Sequence, residues 1–368
     1  MSIAVEPIAS TIDLSGDWLD LPSPPAVRSA AKDALDQGAT HYTTRPGLNP
    51  LREAISKKLS LENKIEVDPR AEVLVTCGGR EALFVALHVL LSPGDEALVV
   101  GPQRVAHAKI VAVAGGVPKP VAPEATRKFV VDPAAVAAQA TDRSRVLLLE
   151  TPSYGGSLIE KDMLSELASL AIQRDLVVVS LEGLEPFVHD GAVHTSIASL
   201  SGMSQRTVTI NGFSDAHGMR GWRVGYLAGP SALVAPMTQL KQALSICSPA
   251  VSQYAALAAL GIRHDTLRRM RTAVSARRER TLAALRSTGI AHLPNRGGIH
   301  VMLDVRDLGR SPDALANDIS AAGVNLTDGR TVGIDGWLRL SLTRSPEMLE
   351  DAVHRLARTL GAEGADNA

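Results

Sequence analysis

A carboxylate and an imidazole stand two residues apart, Asp215 and His217, in the run Asn211-Gly212-Phe213-Ser214-Asp215-Ala216-His217-Gly218-Met219-Arg220-Gly221-Trp222-Arg223. Both groups can take or give a proton, and histidine titrates closest to neutrality. A second imidazole, His107, follows Arg104 by three residues. Arg80, Arg104, Arg223 and Arg339 each carry a guanidinium group, whose planar fork can pair with both oxygens of a carboxylate or phosphate. A small anionic metabolite is the ligand class these residues suit. Tyr154 adds a hydroxyl, in Pro152-Ser153-Tyr154-Gly155-Gly156-Ser157. Each has a plainer reading: the histidines as core or surface residues, Cys77 as a structural thiol with no histidine placed beside it.

These groups need elements to hold them. Val73–Thr76, Ala97–Gly101, Val146–Glu150, Leu176–Glu182, Arg206–Ile210 and Val224–Ala228 are short, nearly continuous apolar runs, which suits strands covered on both faces. A helical pattern from Glu81 to Leu91 follows the first. Repeated strand–helix units predict right-handed crossovers and a mostly parallel sheet. Arg263–Leu285 reads as a long amphipathic helix leaving that domain, followed by strands at 298–305, 324–326 and 337–342 and a closing helix at 346–360. The expected division is an N-terminal arm with part of a small domain (1–45), a large domain (46–285) and a C-terminal small domain (286–368).

The whole chain narrows the setting. Its 368 residues exceed one compact domain, and 45% apolar with 21% charged residues is ordinary for a globular protein. A net charge of −1 without long like-charged blocks argues against nucleic acid or an anionic membrane as partner. Two cysteines make no disulfide framework, and Met1 to Pro7 lacks a basic-plus-apolar leader, so a cytoplasmic location is expected.

The order of several stretches resembles class I/II aminotransferases, the fold-type I enzymes that use pyridoxal phosphate. Gly16-Asp17-Trp18-Leu19-Asp20-Leu21-Pro22, His41-Tyr42-Thr43 with Gly47 and Leu51-Arg52-Glu53-Ala54-Ile55, Val75 to Leu83, Pro93-Gly94-Asp95-Glu96, Ala114-Gly115-Gly116, the Asn211–Arg223 run and Leu338-Arg339-Leu340-Ser341-Leu342 carry the likeness. It spans about Ile12 to Leu360 and implies an α/β fold: a large domain with a mostly parallel central sheet flanked by helices, and a smaller α+β domain from both chain ends. It further implies that Gly78 and Gly79 open a phosphate-binding turn, that Arg223 binds the cofactor phosphate, that Arg339 grips a substrate carboxylate, and that Tyr42 reaches across a homodimer interface.

Where this chain departs from the family pattern, the positions concern the cofactor. Asp215 stands for the lysine that forms the imine, and Leu181 for the aspartate that pairs with the pyridine nitrogen. Tyr154 and Leu184 stand for residues that hold the phenolic oxygen, and Arg104 for the aromatic that stacks on the ring. Lys109, Lys161 and Lys241 do not fall at a strand end that would point into the cleft. The resulting expectation is that no cofactor is used and that the cleft runs acid–base chemistry on a small carboxylate- or phosphate-bearing metabolite, with Asp215, His217 and Tyr154 as catalytic candidates. A non-catalytic ligand sensor or partner subunit, and a genuine pyridoxal-phosphate aminotransferase, stand as alternatives. Asp215 is expected to pair with Arg223, either as a plain ion pair or as an acid–base group beside it. Arg339 has a structural alternative too, held by Asp328 or Asp335, and Glu182 is expected to keep a structural carboxylate role.

Overall fold

The computed structural model describes residues 11–101, 105–122, 129, 131–293 and 295–361. The chain opens with β1 (Ile12–Asp13), α1 (Pro25–Asp36), α2 (Asn49–Lys58), β2 (Val73–Thr76), α3 (Gly79–Leu90), β3 (Glu96–Val100), α4 (Val105–Val113) and β4 (Val117–Val121). It continues through α5 (Pro133–Gln139), β5 (Ser144–Glu150), α6 (Lys161–Gln173), β6 (Val177–Leu181), β7 (Thr207–Gly212), β8 (Gly225–Ala228), α7 (Ser231–Ser245), α8 (Ala250–Gly261) and α9 (Arg263–Ser287). It closes with β9 (His292–Leu293), β10 (His300–Asp304), α10 (Pro312–Ala321), β11 (Val324–Asn325), β12 (Thr327–Asp328), β13 (Trp337–Ser341) and α11 (Pro346–Leu360).

Seven strands form the main sheet in the order β2-β8-β7-β6-β5-β3-β4, with β8 antiparallel to both neighbours and the rest parallel. Its centre shows why those runs are apolar on both faces. Val146 and Leu148 of β5 join the core under α3 and α7, while Leu147 and Leu149 join the core under α6. Successive strand side chains point to opposite faces, so a strand sandwiched by helices must be apolar at every position. Truncating Leu147 or Leu148, both fully buried, to alanine costs about 2–5 kcal/mol by lost transfer energy and cavity.

The sheet ends at β4, a strand the apolar-run reading passes over because it is Val117-Pro118-Lys119-Pro120-Val121. Proline removes a ladder donor and is confined to sheet edges, where this strand lies.

A four-stranded antiparallel sheet, β12-β13-β10-β9, and the parallel pair β1–β11 pack on α9 and α11 around Leu282, Leu285, Leu303, Leu340 and Leu356. The N-terminal arm thus shares a core with the C-terminal segment. The long α9 buries three arginines along its length, each against an acid from elsewhere: Arg263 with Glu62, Arg277 with Asp20 and Arg278 with Asp190. Among the described residues, no helix is long and apolar enough to cross a membrane.

Candidate active site

Parallel strands β5, β6 and β7 all end at one edge of the sheet, and a cavity of about 500 Å³ opens there. This is where the carboxyl ends of strands in open α/β sheets leave a crevice. Glu150, Pro152 and Tyr154 come from the end of β5, Leu181, Gly183 and Leu184 from β6, and Asn211, Gly212, Ser214 and Asp215 from β7. Gly79, Arg80 and Leu83 from the opening of α3, His107 from α4, and Arg220 and Arg223 from a short turn complete the wall.

Backbone builds the α3 end. Gly78 has φ +90°, and a Cβ there would lie 2.6 Å from Arg223 Nη2. A Cβ on Gly225 would come within 3.0 Å of the Gly78 and Gly79 backbone. Only glycines let strand, turn and guanidinium approach this closely. Arg223 itself adopts a left-handed conformation (φ +50°) and donates from Nη2 to the Cys77 carbonyl at 3.0 Å. The leading N–H groups of α3 have no helical carbonyl to bond, so glycine turn, helix start and arginine together form an anion cradle.

Side chains build the opposite end. Asp215 is 7% exposed, and its partner is Arg220, not Arg223. Arg220 donates to Asp215 Oδ1 from Nε at 2.9 Å and Nη2 at 2.8 Å, and from Nη2 to the Tyr154 hydroxyl at 3.3 Å. Burial works against the Arg220 charge, but Asp215, Tyr154 and Asp17 more than reverse it, so the guanidinium is held cationic. The pairing expected with Arg223 fails because Arg223 turns back to the Cys77 carbonyl. No feature of the spacing singles out Arg220; only the turn after Met219 brings it round.

His217 is not on the cavity wall. It is fully buried, packs on the Phe213 ring at 5.5 Å, and accepts from Arg263 Nη1 at 3.4 Å. Burial, then Arg263 and Lys58, push its pKa down to about 3, so it is neutral at physiological pH. Beneath it lies a buried ionic network. Glu185 bonds Lys58, Asn63 and Arg263, while Glu182 accepts from Ser180, Ser196 and Asn63 and faces His194 at 3.2 Å. Burial opposes the Glu185 charge, yet Lys58, His194 and Arg263 hold its pKa down to about 2. Glu182, Glu185 and His194 could surround a cation geometrically, but Lys58 and Arg263 already supply that charge.

Arg339, 4% exposed on β13, donates from Nη2 to Asp17 Oδ1 at 2.7 Å and to Thr327 at 3.3 Å. Its acid is therefore Asp17 of the N-terminal arm. Asp328 pairs with Arg330 instead, and Asp335 caps the Gly336 amide. His300 reaches the same Asp17 oxygen at 3.2 Å and lies 5.3 Å, ring to ring, from Tyr154. His107, on the wall, has Nε2 4.0 Å from Glu150 Oε1.

Arg80 lines the cavity, whereas Tyr42 is 77% exposed in a separate groove with Leu35, His41 and Cys247. Arg104 lies outside the described residues. Cys77 is half-buried, and burial together with Glu81 pushes its thiol up, away from thiolate reactivity. No lysine lines the cavity among the described residues: Lys241 is fully buried against Ser245, and Lys109 borders another groove. Sequence reasoning missed Glu150 and Arg220, which line the cavity, and Asp17, which holds Arg339 away from that wall.

The sequence matches the family described as aminotransferase class I and II over residues 10–356. It is 33% identical to the aspartate aminotransferase of Pyrococcus abyssi over 347 residues, covering 93% of this chain and 89% of that protein. The crystal structure of the aromatic aminotransferase from Pyrococcus horikoshii superposes with a TM-score of 0.93 at 34% identity, covering 95% of this chain and 96% of that one. The Thermus thermophilus aspartate aminotransferase with maleate gives 0.91 at 33% identity, over 95% and 92% of the two chains. Likeness to aminotransferases along nine-tenths of the chain overturns the expected cofactor-independent acid–base enzyme. The family works with pyridoxal phosphate, which likewise overturns the expectation that no cofactor is used. This chain, with its α3 cradle at the carboxyl edge of a mostly parallel sheet, belongs to the class I and II aminotransferase family.

Proposed function

We propose that this chain is a transaminase for a small amino or oxo acid, and that it holds pyridoxal phosphate without a covalent lysine. The observation that carries the reading is the anion cradle of Gly78, Gly79 and Arg223, where any Cβ on Gly78 would fill the space. That cradle fits the phosphate, and the flat apolar wall of Leu83, Leu181, Leu184 and Ile210 fits an aromatic ring beside it. When bound, the cofactor supplies an electron sink for bonds at the α-carbon of an amino acid.

The chain's own residues divide the remaining work. Arg223 and the start of α3 hold the phosphate dianion. Arg339 takes the substrate carboxylate in exchange for Asp17, since a guanidinium fork can pair with either carboxylate. Asp215 stands at the family's lysine position. Its carboxylate can hold or pass a proton but cannot form the covalent link, and Arg220 keeps it in place. Tyr154 hydrogen-bonds that same arginine and shares its orientation. The exposed Tyr42, with Leu35 in the same groove, is the proposed face of a homodimer.

The test is binding of pyridoxal phosphate and pyridoxamine phosphate by equilibrium dialysis and absorbance, followed by borohydride treatment. Expected are stoichiometric binding, an approximately tenfold or greater loss in Arg223→Met, no cofactor fixed to the protein by borohydride, and amino-group transfer from pyridoxamine phosphate to an oxo acid. Absence of binding at millimolar cofactor overturns the proposal.

A further inference from the structure

We infer that the groove between α3 and α4 is a second ligand site, and that it takes a small amphiphilic anion, a carboxylate head on an apolar body. The inference does not rest on the proposed function, since it uses neither the anion cradle nor the residues around Asp215.

The groove follows from helical spacing. On α4, Ala106, Lys109, Ile110 and Val113 recur at intervals of three and four residues and so share one face. On α3, Arg80 and Phe84 stand one turn apart and supply the facing stripe. Other side chains of α4 have different destinations: His107 lines the main cavity, and Val111 is sealed in the core with α3. Phe84 and Ile110 are partly buried against that same core and form the apolar floor. His88 stacks on Phe84 at 5.6 Å and bonds the Ala114 carbonyl through Nδ1 at 3.0 Å, which ties α3 to the end of α4. The six lining residues enclose about 330 Å³, a volume common among small-molecule sites.

Charge selects the ligand. Arg80 and Lys109 are exposed, and among the described residues they are the groove's charged lining groups. Glu81, the acid beside Arg80, is engaged elsewhere, by the Cys77 amide and the Ser245 hydroxyl. No acid lines the groove among the described residues, and its remaining side chains, Phe84, Ala106, Ile110 and Val113, offer no hydrogen bond. An apolar floor under two uncompensated cations suits a molecule that is anionic at one end and apolar along the rest. Size argues against a protein partner. Six residues fall well short of the roughly 20–30 a side that a stable protein interface uses. Arg80 also lines the main cavity, so the head of the ligand would stand at that cavity's rim.

The experiment compares 1-naphthoate with its uncharged analogue 1-naphthalenemethanol, titrated calorimetrically into the full chain. Expected are one naphthoate per chain and an affinity about tenfold or more above that of the alcohol. Lys109→Glu and Val113→Glu, both at exposed positions, should each weaken naphthoate about tenfold while the unfolding midpoint stays near that of the wild type. The milder Lys109→Gln gives the same reading should the charge reversal disturb folding. Arg223→Met and Leu35→Glu, which alter the main cavity and the Tyr42 groove, should leave naphthoate affinity unchanged. Equal affinities for the acid and the alcohol overturn the inference, as does wild-type affinity in both Lys109 variants. Loss in Arg223→Met with none in Lys109→Glu would place the ligand in the main cavity, which also overturns it. A dimer that light scattering detects in the wild type and not in Val113→Glu would assign the groove to a second copy of the chain instead.

Discussion

At the α3 end of the cavity the ligand-facing surface is backbone, whereas at the ends of β5, β6 and β7 it is side chain. The α3 end depends on Gly78 and Gly225, where added atoms would collide with Arg223 or with the turn itself. The strand end depends on a set of partners, Asp215 with Arg220 and Tyr154, and Glu150 with His107. A surface built on such glycines admits little substitution, because a Cβ at Gly78 or Gly225 is an obstruction. A side-chain-built surface can be exchanged, provided that charges change together. The two ends therefore fail in different ways.

The sharpest break should come from the backbone end. Gly78→Val forces a β-branched residue to φ +90° with its Cβ 2.6 Å from Arg223. Expected is a loss of about 3 kcal/mol in phosphate-ligand binding, roughly a hundredfold in Kd, measured by equilibrium dialysis. A near-wild-type affinity would remove the distinction between the two ends.

Next in size is the charge pair. Arg220→Met leaves the nearly buried Asp215 without its cation; because the Arg220 side chain is 30% exposed, the cost should be about 1–3 kcal/mol in denaturant unfolding rather than the full penalty of a buried pair. Adding Asp215→Asn should recover most of that loss. Additive effects in this double-mutant cycle would show that the two side chains are not coupled.

The ionic network behind β7 gives a pH test of similar kind. His217 has its folded pKa depressed to about 3 from 6.5, so the unfolded chain binds the extra proton. That contribution is complete above pH 6.5 and is lost as pH falls toward 3, at up to about 1 kcal/mol per pH unit. His217→Gln should flatten stability between pH 6.5 and 4.5, above the range in which Glu185 begins to protonate. His194 has the opposite sign: its raised pKa adds stability below pH 6.5 and fades as pH rises through the folded value. Unfolding curves that do not differ between wild type and His217→Gln in that window would contradict the buried, neutral assignment.

The smallest effect should come from Asp17→Asn. Removing the acid that occupies Arg339 should raise affinity for small carboxylates by about 0.5 kcal/mol, roughly twofold, read by calorimetry. A loss of affinity would mean that Asp17 positions Arg339 rather than competing for it.

Most of the central sheet was legible because buried parallel strands must be apolar throughout, as Val146 to Leu149 and Val177 to Val179 are. The glycines at the start of α3 were legible through the family resemblance, and at Gly78 the φ of +90° gives the physical reason for glycine. Partner identity was not. Arg223 and Arg220 are three residues apart, and the left-handed conformation of Arg223 decides which of them meets Asp215. Asp215 and His217 share a turn, yet one lines the cavity and the other is sealed behind it. Arg339 meets Asp17 from 322 positions away, in a region where the N-terminal arm pairs through β1 with β11, a contact no local pattern announces. Glu150 was hidden differently: read as the last residue of an apolar run, it passed for a strand terminus rather than a charge aimed into the cavity.

The proline-bearing strand at the margin of the main sheet has a consequence for how the protein behaves in a crowded solution. Pro118 and Pro120 cannot offer N–H groups to an incoming strand, and Lys119 between them ties back to Glu96 at 3.7 Å. A second molecule trying to extend the sheet from this side would meet an interrupted ladder and a fixed positive charge. The β4 margin thus resists edge-to-edge stacking into fibrils.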